Sequence, residues 1–285
     1  MKILVTGAKG QLGNELRELS FSAKDKEFFF TDIEELDITD YESVESFVIS
    51  NRIDLIINCA AYTAVDRAES EVELAYRINR DAVYKLAKAI NKNNGVLIHI
   101  STDFVFDGSK NTPYVEEDST NPISVYGKSK LEGENAAFSE ARTLYVIRTS
   151  WLYSSYGNNF VKTIIRLAEE RKKLNVVFDQ VGTPTYASDL ARTILVLTDK
   201  IEKGKKEILH FSNEGIASWY DFAVEICGMK GIECEIIPIE TKDYPTPAKR
   251  PPYSVLNKKK IKSLLGIKIP YWKDSLSVCI NKLKG

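Results

Sequence analysis

Histidine and cysteine are scarce in this chain of 285 residues, which has two of the first and four of the second. The cysteines show neither CxxC pairing nor metal-ligand spacing, so we predict no metal site and reduced thiols at Cys59, Cys227, Cys234 and Cys279. A formal net charge of −1 provides no general attraction to nucleic acid or anionic membranes. No apolar run approaches the roughly 20 residues of a membrane-spanning helix, and no signal peptide precedes the first strand. We therefore expect a soluble, cytoplasmic protein.

The more abundant residues alternate between strand and helix patterns over the first 150 positions. With 44% hydrophobic residues, the chain can bury a substantial core. Short apolar runs predict strands at 3–6, 28–31, 54–58, 96–101 and 144–149, and amphipathic segments predict helices at 11–20, 39–50, 71–91 and 124–139. Such alternation is typical of a parallel sheet with helices on both faces. The expected fold class is α/β, with a Rossmann-like doubly wound sheet.

A glycine-rich turn directly follows the first strand and opens the first helix, with glycines at Gly7, Gly10 and Gly13. Glycine permits the tight turn, lets backbone N–H groups approach a pyrophosphate and lets the helix pack close to the strand. The N-terminus of the helix then faces the anion. We predict a dinucleotide site that also includes Gln11 and Leu12; the alternative is a glycine turn without a ligand.

Two charged residues leave the choice between NADH and NADPH open. Asp32 ends the second strand, where its carboxylate can accept hydrogen bonds from ribose hydroxyls and repel a 2′-phosphate. Lys9, inside the glycine turn, can instead attract that phosphate. Further cofactor contacts are predicted beside the adenine and at the end of the third strand, from Asp37, Ile38, Ala61, Tyr62 and Thr63.

The character of the sequence changes after residue 150. Helices are predicted at 158–172 and 188–199 and strands at 175–179 and 208–211, and the tail from about 213 is richer in proline and turn residues. We expect a dinucleotide-binding domain at 1–150, joined by about 175–212. A smaller, discontinuous C-terminal substrate-binding domain would comprise 151–174 and 213–285.

Tyr126 and Lys130 lie four residues apart in a predicted helix, so their side chains share one face. A phenol with a reference pKa of about 10 transfers protons poorly near neutrality unless its anion is stabilised, and a fixed ammonium does this. The same ammonium can hold the nicotinamide ribose. Thr102, favoured over Ser101, ends the fourth strand, where its hydroxyl can bind a substrate carbonyl oxygen. We predict Thr102, Tyr126 and Lys130 as the catalytic residues.

These elements resemble the extended short-chain dehydrogenases/reductases that act on nucleotide-sugars. Six blocks narrow the resemblance to the dTDP-4-dehydrorhamnose reductase family over nearly the whole chain: Asn58–Glu69, Ser101–Gly108, Arg148–Tyr153, Gly157–Val161, Asp179–Thr185 and Tyr244–Pro251. The resemblance implies NAD(P)H-dependent reduction of the C4 ketone of dTDP-4-dehydro-β-L-rhamnose to dTDP-L-rhamnose, the last step of dTDP-rhamnose biosynthesis. It also implies that Tyr126 is the general acid, that Lys130 lowers its pKa and binds ribose, and that Thr102 orients the ketone.

The dTDP-ketosugar is expected to contact further residues beside Thr102 and Asp103. Asn158 and Asn159 open a predicted helix, whose N–H groups and side-chain amides can bind a diphosphate. Arg250 can add a bidentate contact, and Trp151 can pack on the sugar. Each has a plain structural alternative, as helix cap for Asn159, surface charge for Arg250 and core residue for Trp151.

Other functions stay open on the same scaffold. Nucleotide-sugar 4,6-dehydratases resemble this chain but typically follow the threonine with Asp-Glu, whereas Asp103 and Phe104 stand here, which counts against dehydration. Another nucleotide-sugar reductase or an epimerase is not excluded by the triad. The regulatory subunit of methionine adenosyltransferase resembles the same branch without being a catalyst, although an intact triad favours an enzyme. A homodimer and a need for a divalent ion are left open.

Overall fold

A six-stranded sheet whose neighbouring strands are all parallel organises the computed structural model, which describes residues 1–283. Numbered along the chain, its strands are β1 Lys2–Thr6, β2 Glu27–Thr31, β3 Leu55–Asn58, β4 Val96–Thr102, β5 Leu144–Thr149 and β10 Lys206–Phe211. Strands β3 and β5 are buried along their whole length, because helices cover both faces of the sheet. The predicted parallel α/β sheet is confirmed.

Helices pack on both faces through two apolar clusters. One face carries α1 Gln11–Ser20, α8 Ala187–Thr198 and α10 Lys259–Leu265. The other carries α2 Tyr41–Asn51, α5 Ala82–Asn91 and α6 Val125–Glu140. The sheet is therefore doubly wound, as its sequence pattern predicts.

The strand order, β2-β1-β3-β4-β5-β10, contains one reversal. The chain passes from β1 outward to β2, returns across β1 to β3, and then continues to the opposite edge of the sheet. In open parallel sheets, the crevice outside the carboxyl ends of the strands at such a reversal is where ligands bind. The glycine turn after β1 and the loop after β3 flank this crevice.

The segment 71–91, predicted as one long helix, contains a wider turn at its centre. After a short helix α3 Val65–Ala68, the chain folds as α4 Val72–Tyr76, a π turn Arg77–Asp81 and then α5. Within the π turn, Asn79 is buried and bonds to Tyr62 and Ser129. The predicted long helix is therefore confirmed over residues 72–91, but its central turn is a π turn, which hydrophobic spacing does not indicate.

A third apolar cluster lies in the second part of the chain, around Phe222 and Trp272. Its helices are α7 Phe160–Glu170, α9 Trp219–Lys230 and α11 Trp272–Lys282. Three two-stranded sheets pair β6 Leu152–Tyr153 with β9 Thr185–Tyr186, β7 Lys173–Val177 with β12 Glu235–Ile239, and β8 Val181–Gly182 with β11 Ala217–Ser218. The strand predicted at 175–179 thus begins two residues earlier, as β7. Residues 284 and 285, which end the second predicted domain, lie outside the described residues.

Local signals determine where several helices begin and end. Asp40 caps α2 by accepting hydrogen bonds from the N–H groups of Glu42 and Ser43. Ser218 forms a capping box at the start of α9, and Gly231 ends that helix in the left-handed conformation. Within residues 1–283, none of the helices has the length and apolar character needed to cross a membrane.

Candidate active site

The turn after β1 brings the glycine segment against the loop after β3. Gly7 has a φ of 65°, which glycine adopts at low cost. A Cβ at Gly7 would lie 2.7 Å from the Cα of Ala60, and a Cβ at Gly13 would lie 2.5 Å from the Gly7 carbonyl oxygen. Close backbone approach therefore requires glycine at both positions.

Helix α1 begins inside this turn, with Gly10 at its N-cap. Among residues 1–283 no side chain caps the helix, and its first turn holds no acidic residue. The backbone N–H groups of Gln11, Leu12 and Gly13 therefore have no partner within the helix and can bind an anion. The Leu12 side chain is buried in the core, so only its backbone can contribute. This cradle fits the pyrophosphate of a dinucleotide.

Charged residues surround the end of β2. Asp32 accepts hydrogen bonds from the backbone N–H groups of Lys9 and Ile33, each at 2.9 Å. The Lys9 ammonium binds the Glu34 carboxylate and lies 3.5 Å from Glu35, and the hydrogen bond that Lys9 donates to Glu34 raises the pKa of Lys9. Both side chains that the sequence assigns to the ribose end of the cofactor thus have protein partners, in a patch of three carboxylates.

The other predicted cofactor residues lie in two neighbouring loops. Asp37 is exposed and accepts a hydrogen bond from the Thr39 N–H at 2.8 Å, while Ile38 is buried in the core beside α2. The loop after β3 contains the half-buried Ala61 and Tyr62 and the exposed Thr63.

Asn79, which sequence reasoning missed, holds this second loop. The Tyr62 N–H donates to its Oδ1 at 2.9 Å, and its Nδ2 donates to the Tyr62 carbonyl at 3.1 Å and to the Ser129 hydroxyl at 2.9 Å. Asn79 thereby ties the loop after β3 to α6. Its partners lie 17 and 50 residues away along the chain, so no local sequence pattern could have revealed them.

Helix α6 begins tightly packed against the end of β4. Ser124 caps it by accepting a hydrogen bond from the Gly127 N–H at 3.1 Å, and the Val125 N–H donates to the Glu69 carboxylate at 2.8 Å. A Cβ at Gly127 would lie 2.3 Å from the Phe104 carbonyl oxygen, so only glycine allows this approach. Glu69 was not predicted as a site residue, although it lies in one of the blocks that carry the resemblance.

Lys130 lies one helical turn after Tyr126, and its side chain is buried. Its ammonium donates to the Ile100 carbonyl of β4 at 2.6 Å. Burial lowers the pKa of Lys130 to about 8, while the nearby Glu134 carboxylate acts in the opposite direction. Lys130 is therefore still mainly protonated near neutral pH.

The half-buried Tyr126 phenol lies beside Thr102 and Asp103. Burial raises the pKa of Tyr126 to about 12, the hydrogen bond with the Thr102 hydroxyl lowers it, and the Asp103 charge raises it. The Tyr126 ring packs edge-on against Phe104, with 5.5 Å between centroids. A phenol that keeps its proton at neutral pH can donate it to a developing oxyanion, which suits a general acid.

Asp103 is a buried carboxylic acid next to this cluster. It is 2% exposed, and burial raises the pKa of Asp103 to about 6. Hydrogen bonds from the Ser254 and Thr102 hydroxyls lower that pKa, and the Thr102 oxygen lies 3.1 Å from Oδ1 of Asp103. Ser254 was missed by sequence reasoning, since it lies in the distant proline-rich tail.

Trp151 and Asn159, two of the predicted substrate residues, have structural partners. Trp151 has a φ of 46°, and its indole stacks on Trp219 with 3.5 Å between ring centroids. Asn159 caps α7 by accepting from the Lys162 N–H, and its Nδ2 donates to the Gln11 side chain at 3.0 Å. The start of α7, including the exposed Asn158, therefore lies beside the glycine turn.

Arg250 joins the tail to the short helix α3, which follows the loop after β3. Its guanidinium makes a two-pronged contact with Asp66, with Nη1 at 3.1 Å and Nη2 at 2.8 Å from the two oxygens. Nη1 also donates to the Thr246 hydroxyl and the Ala248 carbonyl. The hydrogen bond from Arg250 lowers the pKa of Asp66. In this structure Arg250 therefore holds the proline-rich tail against Asp66.

Within residues 1–283, no three or more His, Cys, Asp or Glu side chains are grouped so that they could hold a metal ion.

A glycine cradle at the reversal of a parallel sheet, beside a threonine, tyrosine and lysine, defines an oxidoreductase of the short-chain dehydrogenase/reductase class. Residues 1–284 match the family model described as the RmlD substrate binding domain. The dTDP-4-dehydrorhamnose reductase of Aggregatibacter actinomycetemcomitans is 44% identical over 284 residues, which cover 96% of this chain and 97% of that protein. The chain belongs to the dTDP-4-dehydrorhamnose reductase family, as its sequence blocks predict.

Solved structures agree with this assignment. A dTDP-4-dehydrorhamnose reductase from Clostridium acetobutylicum has a TM-score of 0.95 and 44% identity, with 100% of both chains covered. A dTDP-4-dehydrorhamnose reductase from Bacillus anthracis, solved in complex with NADP, has a TM-score of 0.94 and 37% identity, with 99% of both chains covered.

Proposed function

We propose that this chain reduces the C4 ketone of dTDP-4-dehydro-β-L-rhamnose to dTDP-L-rhamnose with NAD(P)H. The observation that carries the proposal is the cluster of Thr102, Tyr126 and Lys130 at the carboxyl end of β4, beside a glycine turn that fits a dinucleotide. The names of full-length relatives support the substrate. Phe104 stands where a dehydratase typically has a glutamate, which supports reduction over elimination.

The three proposed catalytic residues have different tasks in this reaction. When bound, the reduced nicotinamide supplies the hydride that C4 receives. The Thr102 hydroxyl orients the ketone oxygen, and the Tyr126 phenol transfers its proton to that oxygen as negative charge develops. The Lys130 ammonium binds the nicotinamide ribose and stabilises the phenolate that remains.

We assign the dinucleotide to the glycine turn, the end of β2 and the loop after β3. The residues involved are Gly7, Lys9, Gly10, Gln11, Leu12, Gly13, Asp32, Asp37, Ile38, Ala61, Tyr62 and Thr63, together with Tyr126 and Lys130. The NADP complex of the Bacillus anthracis relative supports NADPH. The carboxylates of Asp32, Glu34 and Glu35 support NADH instead, because they oppose a 2′-phosphate.

We assign the dTDP-sugar to Thr102, Asp103, Trp151, Asn158, Asn159 and Arg250. Asp103 is a buried acceptor for sugar hydroxyls, and the indole of Trp151 is held rigidly by Trp219. The backbone N–H groups at the start of α7 can bind the diphosphate, while the Asn159 side chain caps the helix. Arg250 serves first to fix the tail through Asp66.

We further propose that residues 1–150 with about 175–212 bind the dinucleotide, and that 151–174 with 213–285 bind the sugar nucleotide. The apolar cluster around Phe222, separate from the two clusters on the sheet, supports this division. Two elements depart from it. Strand β7 pairs with β12, and α10 packs against the central sheet.

The decisive experiment incubates the purified chain with dTDP-4-dehydrorhamnose and cofactor deuterated at the transferred position. We expect one NAD(P)H oxidised per sugar consumed and deuterium at C4 of dTDP-L-rhamnose, identified by NMR. Tyr126→Phe is the control for catalysis by this site. An epimerised ketosugar without net oxidation of cofactor, or no turnover at all, would contradict the proposal.

A cytoplasmic location and a homodimer stay predictions. Light scattering during gel filtration gives the mass of the particle directly and tests the second. Fractionation of the source cells tests the first, with activity expected in the fraction that contains neither membranes nor secreted protein.

A further inference from the structure

A buried ion pair joins α6 to the two central strands beneath the catalytic cluster. Arg148 on β5 donates to the Glu134 carboxylate from Nε at 2.9 Å and from Nη2 at 2.7 Å. The Ser101 hydroxyl on β4 donates to the same carboxylate. Glu134 and Arg148 are each 2% exposed, and Ser101 is 3% exposed. The Glu134 carboxylate is thus buried in the interior and has hydrogen-bond partners on two strands.

The place of Glu134 on α6 connects this pair with the catalytic residues. Tyr126, Lys130 and Glu134 follow one another at intervals of four residues, so they lie along one face of the helix. Ser101 immediately precedes Thr102 on β4. Glu134 is therefore one helical turn from the lysine and bonded to the neighbour of the threonine.

Few groups near Lys130 can supply a negative charge to stabilise its buried ammonium. On its own helix, Tyr126 stands one turn before it and Glu134 one turn after it; His99 on β4 and Cys59 after β3 face it from the sheet. Burial lowers the pKa of His99 far below its usual value and raises the pKa of Cys59, so both are neutral near pH 7. Among the described residues that shift the pKa of Lys130, Glu134 is the carboxylate, and it is paired with Arg148.

We propose that Glu134 is a positioning residue, which keeps Lys130 protonated and holds α6 against β4 while Arg148 and Ser101 keep its carboxylate in place. The inference rests on the proposed function through the contact between Lys130 and the nicotinamide ribose. A buried ammonium loses its proton readily unless a negative charge lies nearby. The neutral amine would bind ribose oxygens less strongly and would no longer stabilise a phenolate.

The test measures the Kd for NADH against pH, by nucleotide fluorescence, in a Tyr126→Phe background where the phenol cannot titrate. The Kd should stay constant at low pH and rise once Lys130 loses its proton. Adding Glu134→Gln should move the onset of that rise down by at least about half a pH unit, or about threefold in the acid constant of Lys130. Glu134→Asp, which keeps the charge, should restore the onset.

Glu132→Gln is the matched control, because Glu132 is exposed on the same helix, and it should leave the onset unchanged. An unchanged onset in folded Glu134→Gln would overturn the proposal and leave Glu134 a purely structural residue. A Kd independent of pH in the parent background would also overturn it, by removing the ribose contact of Lys130. The assay contains no sugar, so an incorrect ketosugar substrate does not affect its outcome.

Glu134→Gln leaves the Arg148 charge buried without a partner, which can prevent folding. The combined variant Glu134→Gln/Arg148→Met removes both charges. A downward shift is still expected from it, because the carboxylate one helical turn from Lys130 is lost, but the shift should be smaller than in Glu134→Gln because the positive charge of Arg148 is lost as well. A combined variant that folds and keeps the parent onset would overturn the proposal.

Discussion

At the residue scale, burial sets the charge states in the proposed catalytic cluster of Thr102, Tyr126 and Lys130. The Tyr126 phenol keeps its proton at neutral pH, and Lys130 keeps most of its positive charge. Reduction of a ketone requires a proton donor and a cation that stabilises the conjugate base of the donor. The free protein thus already has the protonation states that reduction needs, whereas alcohol oxidation would first require removal of the phenolic proton.

Tyr126→Phe is expected to lower kcat at least ~100-fold, because it removes the proton donor and keeps the ring. The Kd for the dinucleotide should change little, since Lys130 and the glycine turn remain. Steady-state kinetics and NADH fluorescence measure the two effects separately. Turnover close to that of the unmodified chain would show that another group supplies the proton.

Asp103→Asn is expected to raise the free energy of unfolding at pH 7.5 by about 1–3 kcal/mol. The folded-state pKa of Asp103, about 6, lies above the ordinary value of 3.8, so its buried carboxyl stabilises the fold less as pH rises through 6. The gain from asparagine should therefore shrink as pH falls toward 4, as urea unfolding at several pH values can measure.

Asp107 is a control for Asp103, because its pKa is shifted in the opposite direction. Hydrogen bonds led by the Ser109 N–H lower the pKa of Asp107 to about 2, so its contribution to stability is present at neutral pH and lost in acid. Asp107→Asn should therefore destabilise the protein at pH 7.5. If both asparagine variants showed the same dependence on pH, burial would not be the cause of the Asp103 shift.

Asp32→Ala is expected to weaken the binding of NADH more than that of NADPH. The change removes a hydrogen-bond acceptor for the ribose hydroxyls and also a negative charge that repels a 2′-phosphate. Lys9→Ala should do the reverse if its ammonium meets the 2′-phosphate. Glu34→Gln frees that ammonium from its carboxylate partner, so it should lower the Kd ratio of NADPH to NADH by about threefold or more at low salt. Unchanged ratios in all three variants would mean that these residues do not discriminate between the cofactors.

At the element scale, helix α6, which carries Tyr126 and Lys130, packs closely against the π turn. The sequence indicates both helical segments from their apolar spacing, but the contact between them depends on one glycine. A Cβ at Gly133 would lie 2.0 Å from the Asn79 carbonyl oxygen, and Asn79 in turn holds Tyr62 in the loop after β3. A change at this contact therefore affects both α6 and the loop after β3, which we propose to bind the cofactor.

Gly133→Ala is expected to lower the free energy of unfolding by about 2 kcal/mol or more, because the added methyl displaces backbone. Gly228→Ala, in the interior of α9, is the matched control, since no heavy atom lies within 4 Å of its Cβ position. It should raise the free energy of unfolding by about 0.5–1 kcal/mol. Chemical denaturation compares the two, and equal effects would contradict the close contact at Gly133.

At the scale of the whole molecule, the proline-rich tail joins the second part of the chain to the part that contains Thr102 and Tyr126. Arg250 binds Asp66, and Pro252 lies so close to Gly108 that a Cβ there would approach its Cδ to 2.5 Å. Ser254, two residues further on, lies close enough to Asp103 to lower the pKa of its carboxyl. One short segment therefore links helix α3, the turn after β4 and the predicted sugar site.

Arg250→Lys and Asp66→Asn are each expected to raise the KM for the dTDP-sugar severalfold and to leave the Kd for cofactor unchanged. A lysine at position 250 cannot make the bidentate contact with Asp66, and an asparagine at position 66 removes the negative charge that Arg250 binds. The double variant should be little worse than either single one, because both break the same tie. If Arg250→Lys alone raised KM, Arg250 would instead act directly on the diphosphate.

The sequence by itself was sufficient for the parallel sheet, the glycine turn and the Tyr126–Lys130 pair. These features rest on local spacing: apolar runs make strands, glycines allow close approach, and a four-residue interval aligns two side chains on a helix. The family could be recognised for the same reason, since its blocks are continuous stretches of chain.

Only the tertiary structure decided which distant groups surround those features. It pairs Lys9 with Glu34, ties Arg250 to Asp66, buries Glu134 against Arg148 and brings Ser254 to Asp103. It also opens a π turn at Asn79 within an apparently regular helix. Such contacts join residues far apart in the chain, and burial in the folded core then sets their charge states, so neither is visible in local sequence patterns.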